Sequence, residues 1–241
     1  MDFLKDSNYI NQISIECVIF GYEEQTLKVL ISKLNFSGDF YALQGGFITQ
    51  DEDIDVAAKR ILLERTGLND IYLNQFEVFG KANRKRKEFI DKLIEANSAA
   101  YDKNIKNSDK YLWFTNRFIS IGYYALVDIQ KIHPKKSEID ASIEWHNVHS
   151  IPDLIMDHDE IFKHALHHLK EDIDKKFNAF NLLPETFTIK EVQDIYETIF
   201  EREYVRTNFQ KKILEMNVLE RLEKKFTGAK NKAPYLYKIK I

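Results

Sequence analysis

The 241-residue chain is 44% hydrophobic and 30% charged, with only 8 Gly and 4 Pro, which excludes collagen-like, linker-rich and low-complexity organisation. At roughly 100–200 residues per domain, that length makes one large domain or two small ones. The net charge of −3 hides an asymmetry: residues 201–241 carry 11 Lys and Arg against 5 acids, a net +6, so a polyanion partner is expected for this end alone.

The chain opens with Met1-Asp2-Phe3-Leu4-Lys5-Asp6, which shows no signal-peptide pattern. No apolar run approaches membrane-spanning length, so a soluble cytoplasmic protein is expected. Residues 13–20 and 26–34 read as strands around a turn at Gly21 to Gln25. The lone cysteine, Cys17, lies in the first of these and reads as an inert core thiol, which excludes a disulfide framework. Asp53 to Thr66 has Ile54, Ala57, Ala58, Ile61 and Leu62 at helical spacing, and Gly67 stops it. Strand character returns at Ile71 to Gly80 and at Arg117 to Asp128.

Between those two strands, residues 81–116 read as an inserted, exposed excursion. It begins with the basic cluster Arg84-Lys85-Arg86-Lys87 and continues through a helix-like Phe89 to Ala100. A strand at 141–148 precedes a helix from Asp157 to Phe177. That helix carries His158, His164, His167 and His168, which read as a partly exposed face because no His-Glu-x-x-His arrangement is present; no metal is expected. Pro184 marks a boundary. Beyond it come helices at Ile189 to Glu201 and Tyr204 to Met216, then strand-like residues 217–226 and 234–241 around a basic loop. Helix, short turn, helix and hairpin is the order of a winged helix-turn-helix.

The second of those helices places Val205, Phe209, Ile213 and Met216 on one inward stripe. Arg206, Thr207, Asn208, Lys211 and Lys212 are left toward solvent, where such side chains reach phosphates and base edges. Lys224, Lys225, Lys230 and Lys232 are the matching wing contacts to the DNA backbone. An ordinary amphipathic helix with a wet basic face is the competing reading.

One spacing pattern is specific. Gly46, Glu52, Arg60, Leu62, Glu64, Gly67 and Leu68, preceded by Gln44-Gly45-Gly46-Phe47, resemble the Nudix box and its approach loop. The resemblance implies a mixed α/β sheet between helices. It also implies metal-binding glutamates at three positions, of which Ile61 and Arg65 replace two and Glu64 alone remains. One carboxylate beside an arginine does not make a hard-cation site, so no catalytic residues, metal or cofactor are expected. Glu52 and Arg60 read as a structural pair tying loop to helix.

A broken box followed by a basic winged helix resembles the Nudix-related transcriptional regulators, the NrtR/AraR group. Leu182-Leu183-Pro184, Phe187-Thr188-Ile189, Asn208-Phe209-Gln210-Lys211-Lys212 and Ala233-Pro234-Tyr235-Leu236-Tyr237-Lys238 resemble that group's DNA-binding segment. Residues 117–126 look most like the arabinose-regulator branch of Bacteroidetes. The resemblance implies a ligand-sensing Nudix-like domain at 1–155, a connecting helix at 156–180 and a winged helix at 181–241, acting as a homodimer on operator DNA. It implies an effector, either a sugar such as L-arabinose or an ADP-ribose-like nucleotide. Gln44, Phe47, Glu64, Arg65, Tyr123 and Tyr124 are the candidate contacts; Tyr123 and Tyr124 point to opposite faces of a strand, so at most one meets a ligand. The competing class is a Nudix pyrophosphohydrolase acting on ADP-ribose or a related nucleotide.

Overall fold

The computed structural model describes residues 8–84, 86–102, 104–173, 178–225 and 233–240. The chain divides into two compact units. The first holds the chain up to Ile19, Val29–Ala125 and His133–His168; the second holds Phe20–Lys28, Leu126–Ile132 and the chain from Leu169 onward.

Among the described residues, seven strands form one sheet. Its longest member is β1 (Tyr9–Glu23), whose residues Ile15 and Cys17 to Phe20 are wholly buried, as a central strand covered on both faces requires. β2 (Thr26–Leu34), β3 (Tyr41–Ala42), β4 (Gln44–Thr49), β5 (Asn74–Phe79), β6 (Ile119–Asp128) and β7 (Asp140–Asn147) complete it, in the order β3-β2-β1-β6-β5 with β4 on β1 and β7 on β2.

Register decides which side chain meets which layer, because directly opposed residues of an antiparallel pair share a face. Ile15 opposes Gly46 and Glu16 opposes Gly45. On the first face Ile15 and Cys17, with Ile121 and Tyr123 of β6, pack against Ala57, Ala58 and Ile61 of helix α1 (Ile54–Thr66). Gly46 is needed there, since a Cβ would lie 2.8 Å from the Ile61 side chain. The opposite face carries Ser14, Glu16 and Phe47. The backbone N–H of Gly67 closes α1 on the Leu63 carbonyl at 2.7 Å.

Residues 81–116 lie between β5 and β6 as an insert with many exposed residues, but not as a wholly exposed excursion. They fold into α2 (Lys87–Ala96), two 3₁₀ turns and α3 (Asp109–Thr115), with Leu93, Tyr111 and Trp113 buried. Trp113 stands edge-on to Phe47 at 4.9 Å and to Phe118 at 5.0 Å, and its indole N–H donates to Asn11. The reason is an apolar stripe: Phe89, Ile90, Leu93 and Ile94 share one face of α2, while Lys87, Glu88, Lys92 and Glu95 face water. Two members of the basic cluster, Arg84 and Arg86, turn inward, while Lys87 stays exposed. Arg84 grips Asp157 and donates to the carbonyls of Phe79 and Phe118 at 2.9 Å each, so it is structural. Lys85 lies outside the described residues.

α4 (His158–Asp172) follows β7. In the second unit, α5 (Ile189–Phe200) begins at a capping box in which the Thr188 side chain takes the Glu191 N–H and the Glu191 carboxylate takes the Thr188 N–H. Glu201, in the left-handed region, ends it. α6 (Arg206–Glu215) packs Phe209 and Ile213 inward, with Phe209 edge-on to Tyr196 and Tyr204. β8 (Leu219–Lys224) and β9 (Tyr235–Ile239) pair antiparallel, and Phe187 exchanges both backbone hydrogen bonds with Tyr237.

Candidate functional site

The first unit holds a half-open cavity of about 740 Å³, within the range of small-molecule sites. One side is the sheet face bearing Ser14, Glu16 and Phe47; the other is the insert, through α2 and α3. Four buried polar atoms on residues that line it lack a hydrogen-bond partner among the described residues: Glu16 Oε2, Arg65 Nε, Arg86 Nη1 and His158 Nε2. Buried polar groups in folded proteins are almost always satisfied, so four orphans in one cavity mark a place built to hold something polar.

Each orphan is fixed by its other atoms. His158, on the first turn of α4, accepts the Leu43 N–H at Nδ1 at 3.0 Å, which leaves its ring hydrogen on Nε2. That nitrogen stands 3.7 Å from Glu16 Oε2, too far for a hydrogen bond. Arg65 donates to the Gly45 carbonyl at 3.1 Å and to Asp140 at 2.8 Å, so only Nε remains. Arg86 lays its guanidinium over the Phe118 ring at 4.1 Å, with Nε against the sulfur of Met156. Gly45 lies opposite Glu16, where a Cβ would sit 2.1 Å from Oε2 and the carboxyl would have to move.

Burial sets the charges. It pushes the Glu16 carboxyl up to about 7, against the pull of Arg86, Arg84 and Arg65. It drives the His158 imidazole down to about 3, so the ring is neutral, and lowers Arg86 to about 10. At neutral pH the cavity therefore offers two guanidinium N–H groups, one neutral imidazole N–H and a half-protonated carboxyl. That set suits a small anion or an oxygen-rich head group.

The predicted ligand contacts divide. Phe47 and Arg65 line the cavity. Gln44, Glu64, Tyr123 and Tyr124 do not, and each has a local reason. The Gln44 amide is buried, taking the Ser32 hydroxyl at 3.1 Å. Glu64 is exposed and paired with Arg60 at 2.9 Å. Tyr123 faces α1 and donates to Asp55 at 2.7 Å, while Tyr124 is buried beside Phe76. Glu16, Arg86 and His158 also line the cavity, and no spacing in the sequence singles them out.

Within the box, Arg60 ties the loop to the helix. Arg60 grips the Glu52 carboxylate through Nε at 2.8 Å and the Phe47 carbonyl through Nη2 at 2.8 Å. Glu52 also takes the Thr49 N–H, and its carboxyl is held down to about 2 by the Arg60 guanidinium. With Ile61 in the core, Glu64 on Arg60 and Arg65 on Asp140, these positions do not fit the divalent cation of an intact box. Among the described residues no cluster of three or more His, Cys, Asp or Glu could hold a metal. His164 pairs with Glu77 at 2.7 Å, and the His168 ring lies tilted against Phe76 at 5.5 Å.

The second unit presents a contiguous polar surface. Arg206, Thr207, Asn208 and Lys211 are exposed on α6. Lys212 is half-buried, its ammonium over the Tyr196 ring at 5.2 Å. Val205, predicted to point inward, is 66% exposed because it precedes the first helical turn. Lys224 and Lys225 are exposed on the hairpin, the latter paired with Glu191 at 3.0 Å. Lys230 and Lys232 lie outside the described residues. Among the described residues no helix is long and apolar enough to cross a membrane.

Residues 179–239 match the family model for the NrtR DNA-binding winged helix domain. The chain is 25% identical over 228 residues to the ADPR responsive transcriptional repressor NtrR of Acinetobacter baylyi, covering 92% of this chain and 79% of that protein. Its fold is similar to that of Shewanella oneidensis NrtR solved with a 27mer DNA, with a TM-score of 0.68, 20% identity, and 95% and 94% of the two chains covered. It is also similar to a MutT/nudix family protein of Enterococcus faecalis, with a TM-score of 0.69, 16% identity, and 96% and 87% covered. The architecture is thus a Nudix-like mixed sheet and helix domain followed by a C-terminal winged helix, as in the solved NrtR structures.

Proposed function

We propose that this chain is a transcriptional repressor of the NrtR type, which grips operator DNA with its winged helix and is released by an effector bound in the Nudix-like domain. The observation that carries the reading is the exposed first turn of α6, Arg206-Thr207-Asn208, inside the segment that matches the NrtR DNA-binding domain. The N-terminal residues of a recognition helix are those that meet base edges in the major groove. Arg suits guanine and Asn suits adenine, while Lys211, Lys212, Lys224, Lys225, Lys230 and Lys232 serve the phosphates. Two half-sites one helical turn apart call for a two-fold dimer.

For the effector, an ADP-ribose-like nucleotide is favoured. The relative in Acinetobacter baylyi carries ADPR response in its name, and the cavity is far larger than one sugar ring and offers two arginines. Gln44, Tyr123 and Tyr124, which a sugar site would use, are engaged elsewhere. L-arabinose is the second reading, kept by the likeness of residues 117–126 to the arabinose regulators. Hydrolysis is not part of the proposal, because the box positions supply no set of convergent carboxylates.

Binding of the full chain to a labelled duplex from its own upstream region tests this, between 50 and 200 mM salt as usual for such proteins. The expected result is a preference of at least about 1,000-fold over random duplex, lost on adding ADP-ribose. Loss with L-arabinose alone would replace the effector. No preference at low salt would overturn the repressor, and magnesium-dependent turnover of ADP-ribose would restore the enzyme.

A further inference from the structure

We propose that the insert adds an apolar compartment to the effector cavity, selecting effectors in which an anionic head is joined to an alkyl or aryl body. The inference rests on the cavity being the effector site. Most of its polar lining lies at the sheet, with Ser14 and Glu16 on β1, Arg65 at the end of α1 and His158 at the start of α4; Arg86, where the insert begins, joins them, and Asp102 and Lys110 lie farther along the insert. The insert answers with Phe89, Ile90, Leu93 and Ile94 of α2 and Tyr111 and Phe114 of α3. Phe89, Ile90 and Ile94 are only half-buried, so their stripe is not used up in packing; it lines open volume.

Each half constrains the occupant. The unpartnered N–H groups of Arg65, Arg86 and His158 suit a phosphate or carboxylate, whose oxygens accept from several donors at once. The α2 stripe of Phe89, Ile90, Leu93 and Ile94 offers hydroxyl groups no partner and rewards CH₂ groups or a flat ring. A free pentose uses only the first half. ADP-ribose carries both an anionic group and a base.

Calorimetric titration of the full chain with n-alkyl phosphates, from methyl to octyl, separates the halves. Affinity is expected to rise about fourfold per methylene once the chain enters the compartment. Ile90→Ser and Ile94→Ser, checked for unchanged circular dichroism and DNA binding, should flatten that rise and leave methyl phosphate unchanged. Arg86→Gln should lower every member by a common factor and keep the rise. A flat series, or a rise untouched by Ile94→Ser, overturns the compartment. If the series is flat while ADP-ribose binds and Arg86→Gln weakens it, the effector site stands without the compartment. If neither ADP-ribose nor any alkyl phosphate binds, both readings fail.

Discussion

The two candidate surfaces are built in opposite ways. The α6 face is contiguous in sequence, exposed and charged, and its residues need only a helix to bring them together. The cavity gathers Glu16, Arg65, Arg86 and His158 from four distant segments and leaves one buried polar atom of each without a partner among the described residues. A DNA face tolerates solvent and draws its affinity from many weak contacts, so charge density marks it. An enclosed site draws affinity from a few desolvated groups, so unsatisfied polar atoms mark it.

The contrast can be sharpened by substitutions that touch one region and spare the other. The largest effect is expected at Glu16. Its folded carboxyl titrates near 7 rather than 4.5, so the stability it contributes is fully present below about 4.5 and is lost as pH rises through 7. Arg86, Arg84, Arg65 and Asp157 are the charged groups acting on it, with neutral His158 nearby. Glu16→Gln should therefore gain on the wild type between those pH values, by an amount on the order of 2–3 kcal/mol, in denaturant melts at pH 4.5 and 8. An unchanged difference would mean that the carboxyl is not buried.

Gly45→Ala comes next. The added methyl must displace the Glu16 carboxyl, for a loss of roughly 1–3 kcal/mol in stability and at least about tenfold in effector affinity, while operator binding is retained. On the other surface, Arg206→Ala should weaken operator binding by roughly 1–3 kcal/mol and leave random-duplex binding nearly unchanged. Lys224→Ala should not discriminate between the duplexes. It lowers both affinities together and reduces the salt slope by about one, the smallest change of the four. Equal effects of Arg206→Ala on both duplexes would make α6 a backbone contact only.

The sequence was readable wherever function follows local spacing. The box spacing forecasts the Glu52–Arg60 pair that the structure contains, and the α5–α6–hairpin order forecasts the winged helix. The cavity was not readable in the same way. Alternation on β6 separates Tyr123 from Tyr124, yet nothing local says that the layer facing the cavity is the one carrying Glu16 rather than the one under α1. Polarity misled at residues 81–116, where the charged residues lie on the wet face of α2 and Arg84 and Arg86 fold back beneath it. His158 lies beside the histidines of an ordinary helix face, and only the Leu43 N–H, 115 residues away, identifies its role.

The central claim is that an effector in the cavity controls the DNA-binding end. The most direct measurement is the ADP-ribose concentration that half-releases the full chain from its operator duplex, compared between wild type and Arg86→Gln. Losing one charged hydrogen bond should raise that concentration roughly 10- to 150-fold, with operator affinity in the absence of effector unchanged. Equal half-release concentrations, or an operator complex indifferent to ADP-ribose and L-arabinose alike, would contradict the account.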